Sequence, residues 1–121
     1  MRFLLIILSA FILSCYPKIQ IEGFEPEAWN KPFETCEDSK EALANLIISQ
    51  QEKLLGEGQA EIKQLLGQPS EHELYRRNQK FFFYFLTPGD TCENVISQTK
   101  LSIKFDAIDR AKELMIELVD N

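Results

Sequence analysis

The sequence predicts an α+β domain in which two N-terminal helices pack on a meandering antiparallel sheet of three to four strands. Between residues 39 and 66, apolar residues recur at spacings of three, four and seven, the period of a helix with one buried face. Beyond residue 70 they tend to alternate with polar residues, the period of a strand. Helices that precede the strands, instead of alternating with them, are typical of two-layer α+β domains.

The first predicted helix begins near Asp38 or Ser39, since either side chain can cap a helix N-terminus, and it ends before Gly56. The second covers residues 59–66, and Gly67 stands where a left-handed C-terminal cap belongs. The predicted buried stripes are Leu43, Leu46, Ile47 and Leu54 in the first helix, and Ile62, Leu65 and Leu66 in the second.

Four strands follow, separated by segments rich in turn-forming residues. The second strand carries the run Lys-Phe-Phe-Phe-Tyr-Phe-Leu, which has a strong preference for β structure. The predicted strands cover residues 71–77, 80–86 and 101–105, and a last segment that places Leu114, Ile116 and Leu118 on one face.

Length and composition favour one compact, acidic domain. The chain has 121 residues and a formal net charge of −6, so nucleic acid is an unfavourable partner. No Gly-x-Ser-x-Gly motif, phosphate loop or nucleotide fingerprint occurs. The single histidine, His72, lies between two glutamates on a predicted strand, where a surface position is the ordinary case. We therefore predict no catalytic activity, no metal or other cofactor, and no small-molecule substrate.

Residues 1–14 have the pattern of a bacterial export signal. A basic start, Met1-Arg2, precedes the segment 3–13, which is apolar apart from one serine and is shorter than the roughly 20 residues of a membrane span. Ile12-Leu13-Ser14-Cys15 then resembles the lipobox of bacterial lipoproteins. This resemblance implies cleavage before Cys15 and lipid on its sulfur; the alternative is an ordinary secretory signal with a cysteine there by chance.

The next segment, residues 15–35, contains three prolines and shows no sustained period, which predicts a lipidated tether. Tyr16-Pro17-Lys18 places no aspartate beside the lipid site. By the rules of that lipoprotein class, this favours the periplasmic leaflet of an outer membrane. The folded domain is then predicted to cover residues 36–121, with Trp29 and Phe33 docking on it.

One segment resembles the G-x5-V-x2-L-L-G-x-P motif of small outer-membrane assembly lipoproteins of the BamE/SmpA type; its residues here are Gly56, Ile62, Leu65-Leu66-Gly67 and Pro69. In that family an aromatic strand follows the proline, as Phe81 to Phe85 does here. The resemblance, which covers roughly residues 29–119, implies the fold of β-lactamase-inhibitor-protein-like domains. It also implies an envelope lipoprotein that binds protein, as an accessory of outer-membrane protein assembly. The alternatives are an inhibitor-like module that blocks an envelope enzyme, and a structural lipoprotein without catalysis.

Apart from Cys15, the chain has two cysteines, Cys36 and Cys92. An even pair in an exported domain favours a disulfide, because that compartment is oxidising. Such a bond would tie the start of the first helix to the loop after the aromatic strand. Two separate buried thiols are the alternative.

Alternate residues of the aromatic strand point to opposite faces: Phe81, Phe83 and Phe85 to one, and Phe82, Tyr84 and Leu86 to the other. The helices can cover only one face, and an uncovered hydrophobic face often marks a binding site. The expected partner-binding surface consists of Phe82, Tyr84, Tyr75 and Arg77. The alternative is that loop 87–98 or the segment around Trp29 covers this second face.

Overall fold

The computed structural model describes residues 19–75, 79–89, 92 and 98–119, with the backbone alone for residues 72–75 and 79. The helices are α1 (Pro26–Asn30), α2 (Glu41–Ser49) and α3 (Gln59–Leu66), with a 3₁₀ turn at Gln51–Lys53. The strands are β1 (Glu71–Tyr75), β2 (Gln79–Phe85), β3 (Thr99–Phe105) and β4 (Ala111–Leu118). This order confirms the predicted α+β class.

The four strands form one antiparallel sheet in which each strand pairs with the next along the chain. The register brings Phe82 of β2 opposite Ile103 of β3, and Ile103 opposite Leu114 of β4. It shifts between Lys104 and Phe105, near the turn that joins β3 to β4. Phe82, Ile103 and Leu114 therefore share one face of the sheet.

The hydrophobic core lies between that face and the helices. Ile47 of α2 and Ile62 of α3 are fully buried in one cluster with Ile103 and Phe105 of β3. The rings of Phe82 and Phe105 meet edge to face, with 4.7 Å between their centroids. Full burial of a large apolar side chain contributes about 1.5–3 kcal/mol, so each of these residues helps to hold the helices to the sheet.

The predicted cap at Asp38 or Ser39 is wrong, because Lys40 holds the N-cap position of α2 and makes no side-chain capping bond. The Ser39 hydroxyl accepts from the Glu41 N–H at 3.1 Å. Asp38 instead accepts from the N–H groups of Glu34 and Thr35, at 2.7 and 3.0 Å, and these bonds lower the pKa of its carboxyl. The Ser39 hydroxyl thus closes a local turn just before the helix, and Asp38 closes the turn that precedes Ser39.

The folded domain begins earlier in the chain than predicted. Residues 19–24 pack on the core through Ile19, Ile21 and Phe24, and the short helix α1 adds Trp29. The prediction of a tether over residues 15–35 is therefore wrong from residue 19 onward, although the predicted docking of Trp29 is confirmed. The physical reason is that these few apolar side chains bury against the helices without forming a periodic pattern of their own. The predicted signal segment, and Cys15 with it, lies outside the described residues.

Candidate protein-binding surface

The sheet has a second face, directed away from the helices, which we call the outer face. The register places three rows of side chains on it: Phe81–Lys104–Glu113, Phe83–Ser102–Met115 and Phe85–Lys100–Glu117. Lysine and glutamate thus flank a central row in which Phe83 and Met115 are apolar.

Neighbouring side chains cover the middle of the outer face from solvent. Phe81 and Phe83 stack nearly parallel, with centroids 5.8 Å apart. The Lys100 ammonium lies 4.1 Å from the Phe83 centroid and 3.7 Å from a carboxylate oxygen of Glu117. Phe83 is in consequence only 6% exposed, although it lies outside the core cluster. A cation–π contact of this kind contributes about 0.5–1 kcal/mol.

Around this centre, apolar side chains remain accessible. Phe81 and Phe85 are half-buried, and Met115 is 43% exposed. Aromatic residues and methionine are enriched in protein interfaces, where polar and charged groups form the rim. The outer face therefore has the composition of a modest protein-binding surface.

The expected surface around Phe82 and Tyr84 is wrong, because both side chains are 4% exposed and belong to the core. The stripes of α2 and α3 pack on their face of β2, and Trp29 adds to this cover, with 5.9 Å between its ring centroid and that of Tyr84. The Tyr84 hydroxyl donates to the Gly67 carbonyl at 2.9 Å. Burial raises the pKa of the Tyr84 phenol well above its ordinary value.

The other two residues of that expected surface are not described in the same detail. Tyr75 ends β1, where the structure gives its backbone alone, and Arg77 lies outside the described residues. Their role in binding stays a prediction.

The predicted disulfide is confirmed. The sulfurs of Cys36 and Cys92 are bonded at 2.04 Å, with 5.6 Å between the Cα atoms. The bond joins the segment before α2 to the loop after β2, which fixes the N-terminal layer against the aromatic strand.

Lys40, which sequence reasoning did not single out, organises the segment between α1 and α2. Its ammonium lies 4.8 Å from the ring centroid of Phe33 and 5.9 Å from that of Trp29, and burial lowers its pKa. A cleft of about 170 Å³ opens beside it. These contacts confirm that Phe33 docks on the domain, and they give Lys40 a packing role.

The turn between β3 and β4 uses its aspartates structurally. Asp106 accepts from the N–H groups of Ile108 and Arg110, each at 3.0 Å, and Asp109 pairs with Lys80 at 3.0 Å. Among the residues that the structure describes, no three His, Cys, Asp or Glu side chains form a group that could hold a metal ion.

Comparison with known proteins gives no relative: no protein-family model, curated protein or solved structure matches the chain. The resemblance to BamE/SmpA-type lipoproteins therefore stays a prediction. Within the described part of the chain, no helix has both the length and the apolar character needed to cross a bilayer.

Proposed function

We propose that this chain is a bacterial envelope lipoprotein, anchored by lipid on Cys15, whose α+β domain binds another protein through the outer face of its sheet. The observation that carries the binding proposal is the accessible apolar set of Phe81, Phe85 and Met115 on the side opposite the helices. The anchor is supported by the order of basic start, apolar segment and Ile-Leu-Ser-Cys. Its site is the periplasmic leaflet of an outer membrane, and the domain has no catalytic activity of its own.

The chemistry of the outer face favours a protein partner. Lysine and glutamate stand directly opposite each other in two of its rows, Lys104 with Glu113 and Lys100 with Glu117. A polyanion would be repelled by both glutamates. A protein surface, by contrast, can present apolar side chains at the centre and charges of either sign at the rim. Met115 adds a flexible side chain that adapts to the shape of a partner. We expect that partner to be another envelope protein.

The test is photocrosslinking in intact cells from a crosslinking amino acid placed at Met115. A matched control carries it at Gln64, an exposed position on α3, away from the outer face. We expect a defined protein adduct from position 115 and none from position 64. The variant Phe85→Ser, built into the position-115 crosslinker, should lose the adduct while its unfolding midpoint changes little. Equal adducts from both positions, or none from position 115, would contradict the proposal.

The identity of the captured protein separates the two forms of this function. A component of the outer-membrane assembly machinery supports the accessory role that the resemblance implies. An envelope enzyme whose activity falls when the purified domain is added supports the inhibitor-like alternative. A fold alone does not decide between them.

A further inference from the structure

The chain between the lipid-bearing cysteine and the core is very short. Ile19 is 4% exposed and belongs to the core cluster, and only residues 16–18 separate it from Cys15. Four residue steps reach at most about 14 Å, whereas a tether over the whole of residues 15–35 would reach about 70 Å. Because segment 19–24 packs on the core, the domain lies much closer to Cys15 than a free tether over residues 15–35 would allow.

This segment is also fastened at a defined place, the end of α2. The Glu22 N–H donates to the side-chain oxygen of Gln50, and the Gln50 amide nitrogen donates back to the Glu22 carbonyl, both at 2.9 Å. We call this pair of bonds the Glu22–Gln50 clasp. Lys53, in the following 3₁₀ turn, donates to the same Gln50 oxygen at 2.8 Å. Releasing the segment would break the clasp and expose Ile19 and Phe24, so its position on the domain is fixed.

We infer that the domain rests directly on the lipid surface that holds Cys15, with the clasp and the 3₁₀ turn toward the lipid and the outer face turned away. This orientation rests on the proposed lipidation. Leu55, which follows the 3₁₀ turn, is 41% exposed and gives this side an apolar side chain that suits the membrane interface. Segment 19–24 lies beside α2, since Glu22 bonds to Gln50 and Gly23 lies close to Leu46, so the outer face lies across the sheet from it. The binding surface is thereby presented to proteins above the membrane.

The test uses the full lipidated chain in phosphatidylcholine vesicles that contain a lipid with a nitroxide quencher on its headgroup. A fluorophore is attached through Glu52→Cys, next to the clasp, or through Glu113→Cys, on the outer face; both glutamates are exposed. A compact domain of about 100 residues has a radius of gyration of about 13 Å, so the two labels differ clearly in depth. We expect several-fold stronger quenching at position 52 than at position 113.

A Gly-Ser spacer of about 20 residues inserted before Ile19, with an average span of about 25 Å, should abolish that difference. Equal quenching at the two positions in the unmodified lipoprotein would overturn the inference, as would a difference that the spacer leaves intact. Either result leaves the anchor standing if the native chain carries the added lipid mass and Cys15→Ala lacks it. A Cys15→Ala protein with the same processing and the same mass beyond the polypeptide as the native chain would instead overturn both the lipidation and the orientation built on it.

Discussion

Trp29 and Tyr84 donate hydrogen bonds to neighbouring carbonyl groups at the end of α3. The indole nitrogen of Trp29 lies 3.0 Å from the Leu66 oxygen, and the Tyr84 hydroxyl lies 2.9 Å from the Gly67 oxygen. Carbonyls at a helix C-terminus lack partners within the helix, so two side chains from distant parts of the sequence satisfy them. The pair joins the N-terminal segment, α3 and the aromatic strand at one point.

Tyr84→Phe should lower the free energy of unfolding by about 1–3 kcal/mol, since it keeps the ring but leaves the Gly67 carbonyl without its donor. Urea unfolding measures this loss. In a double-mutant cycle with Trp29→Phe, we expect a coupling energy of at least about 0.5 kcal/mol, because the two residues share one helix end and their rings pack together. Strict additivity of the two losses would show that the bonds act independently.

Tyr84 should also make the domain sensitive to alkali. Burial raises the pKa of its phenol above the ordinary value of 10.0, so the folded state binds this proton more tightly than the unfolded state does. The resulting stabilisation is fully present below about pH 10 and is lost as the pH rises toward the folded pKa. We expect urea midpoints to fall between pH 9 and pH 11, and to fall less in Tyr84→Phe. Identical pH profiles for the two proteins would rule out this coupling.

Loss of the disulfide should destabilise the domain strongly. Cys36 and Cys92 are 56 positions apart, and closing a loop of this size stabilises the native state by about 4 kcal/mol in the chain-entropy model. Thermal unfolding with and without reductant measures the effect. The double variant Cys36→Ala/Cys92→Ala should match the reduced protein and respond no further to reductant. An unchanged melting temperature on reduction would contradict the expectation.

A side chain at Gly67 should lower the stability of the domain. Its φ of +77° is unfavourable for other residues, and an added Cβ would lie 2.7 Å from the Asn30 side-chain oxygen. Gly67→Ala should therefore cost about 1–3 kcal/mol of stability. Gly56 has a φ of +86° and open space around it. The loss of stability in Gly56→Ala therefore measures the cost of the backbone conformation without a side-chain clash. Gly89 lies in open space and has no positive φ, so Gly89→Ala should change stability by less than about 0.5 kcal/mol. A loss in Gly89→Ala as large as that in Gly67→Ala would refute this explanation.

Local signals predicted the helices and strands of the domain well. The glycine and proline that follow residue 66 predicted the end of α3 correctly. Clean alternation predicted β3, to which the structure adds two residues at the start. Leu54 was assigned to the first helix by its spacing, yet α2 ends at Ser49 and a 3₁₀ turn leads to that fully buried leucine. Burial was correctly predicted there, whereas the local backbone depended on tertiary packing.

The candidate surface could not be chosen from the aromatic strand alone. Phe82 and Phe83 are equally apolar, so alternation gives no preference for either face of β2. The decision comes from pairing: Phe82 lies opposite Ile103, and Phe83 lies opposite Ser102. Since β3 alternates between apolar and polar residues, its register determines which phenylalanines enter the core. That register depends on contacts between residues far apart in the sequence, which the pattern within β2 does not predict.

The N-terminal segment was missed for a related reason. Helix α1 has five residues, too few for a helical period to show, and Ile19 and Ile21 are isolated apolar residues among polar ones. Both are buried in the core cluster, and the Glu22–Gln50 clasp fastens the same segment to the end of α2. Proline content correctly indicated irregular backbone here, but it does not distinguish a packed segment from a free one.

The most direct measurement is the membrane fractionation and mass of the mature protein in cells that express the native chain or Cys15→Ala, with Ser14→Ala as a control that keeps a small residue before the cysteine. We expect the native chain and the control to sediment with membranes, cut before Cys15 and heavier than the bare polypeptide by the attached lipid. Cys15→Ala should lose that added mass and leave the outer-membrane fraction. The contradictory result is a Cys15→Ala protein with the same processing and the same membrane fractionation as the native chain.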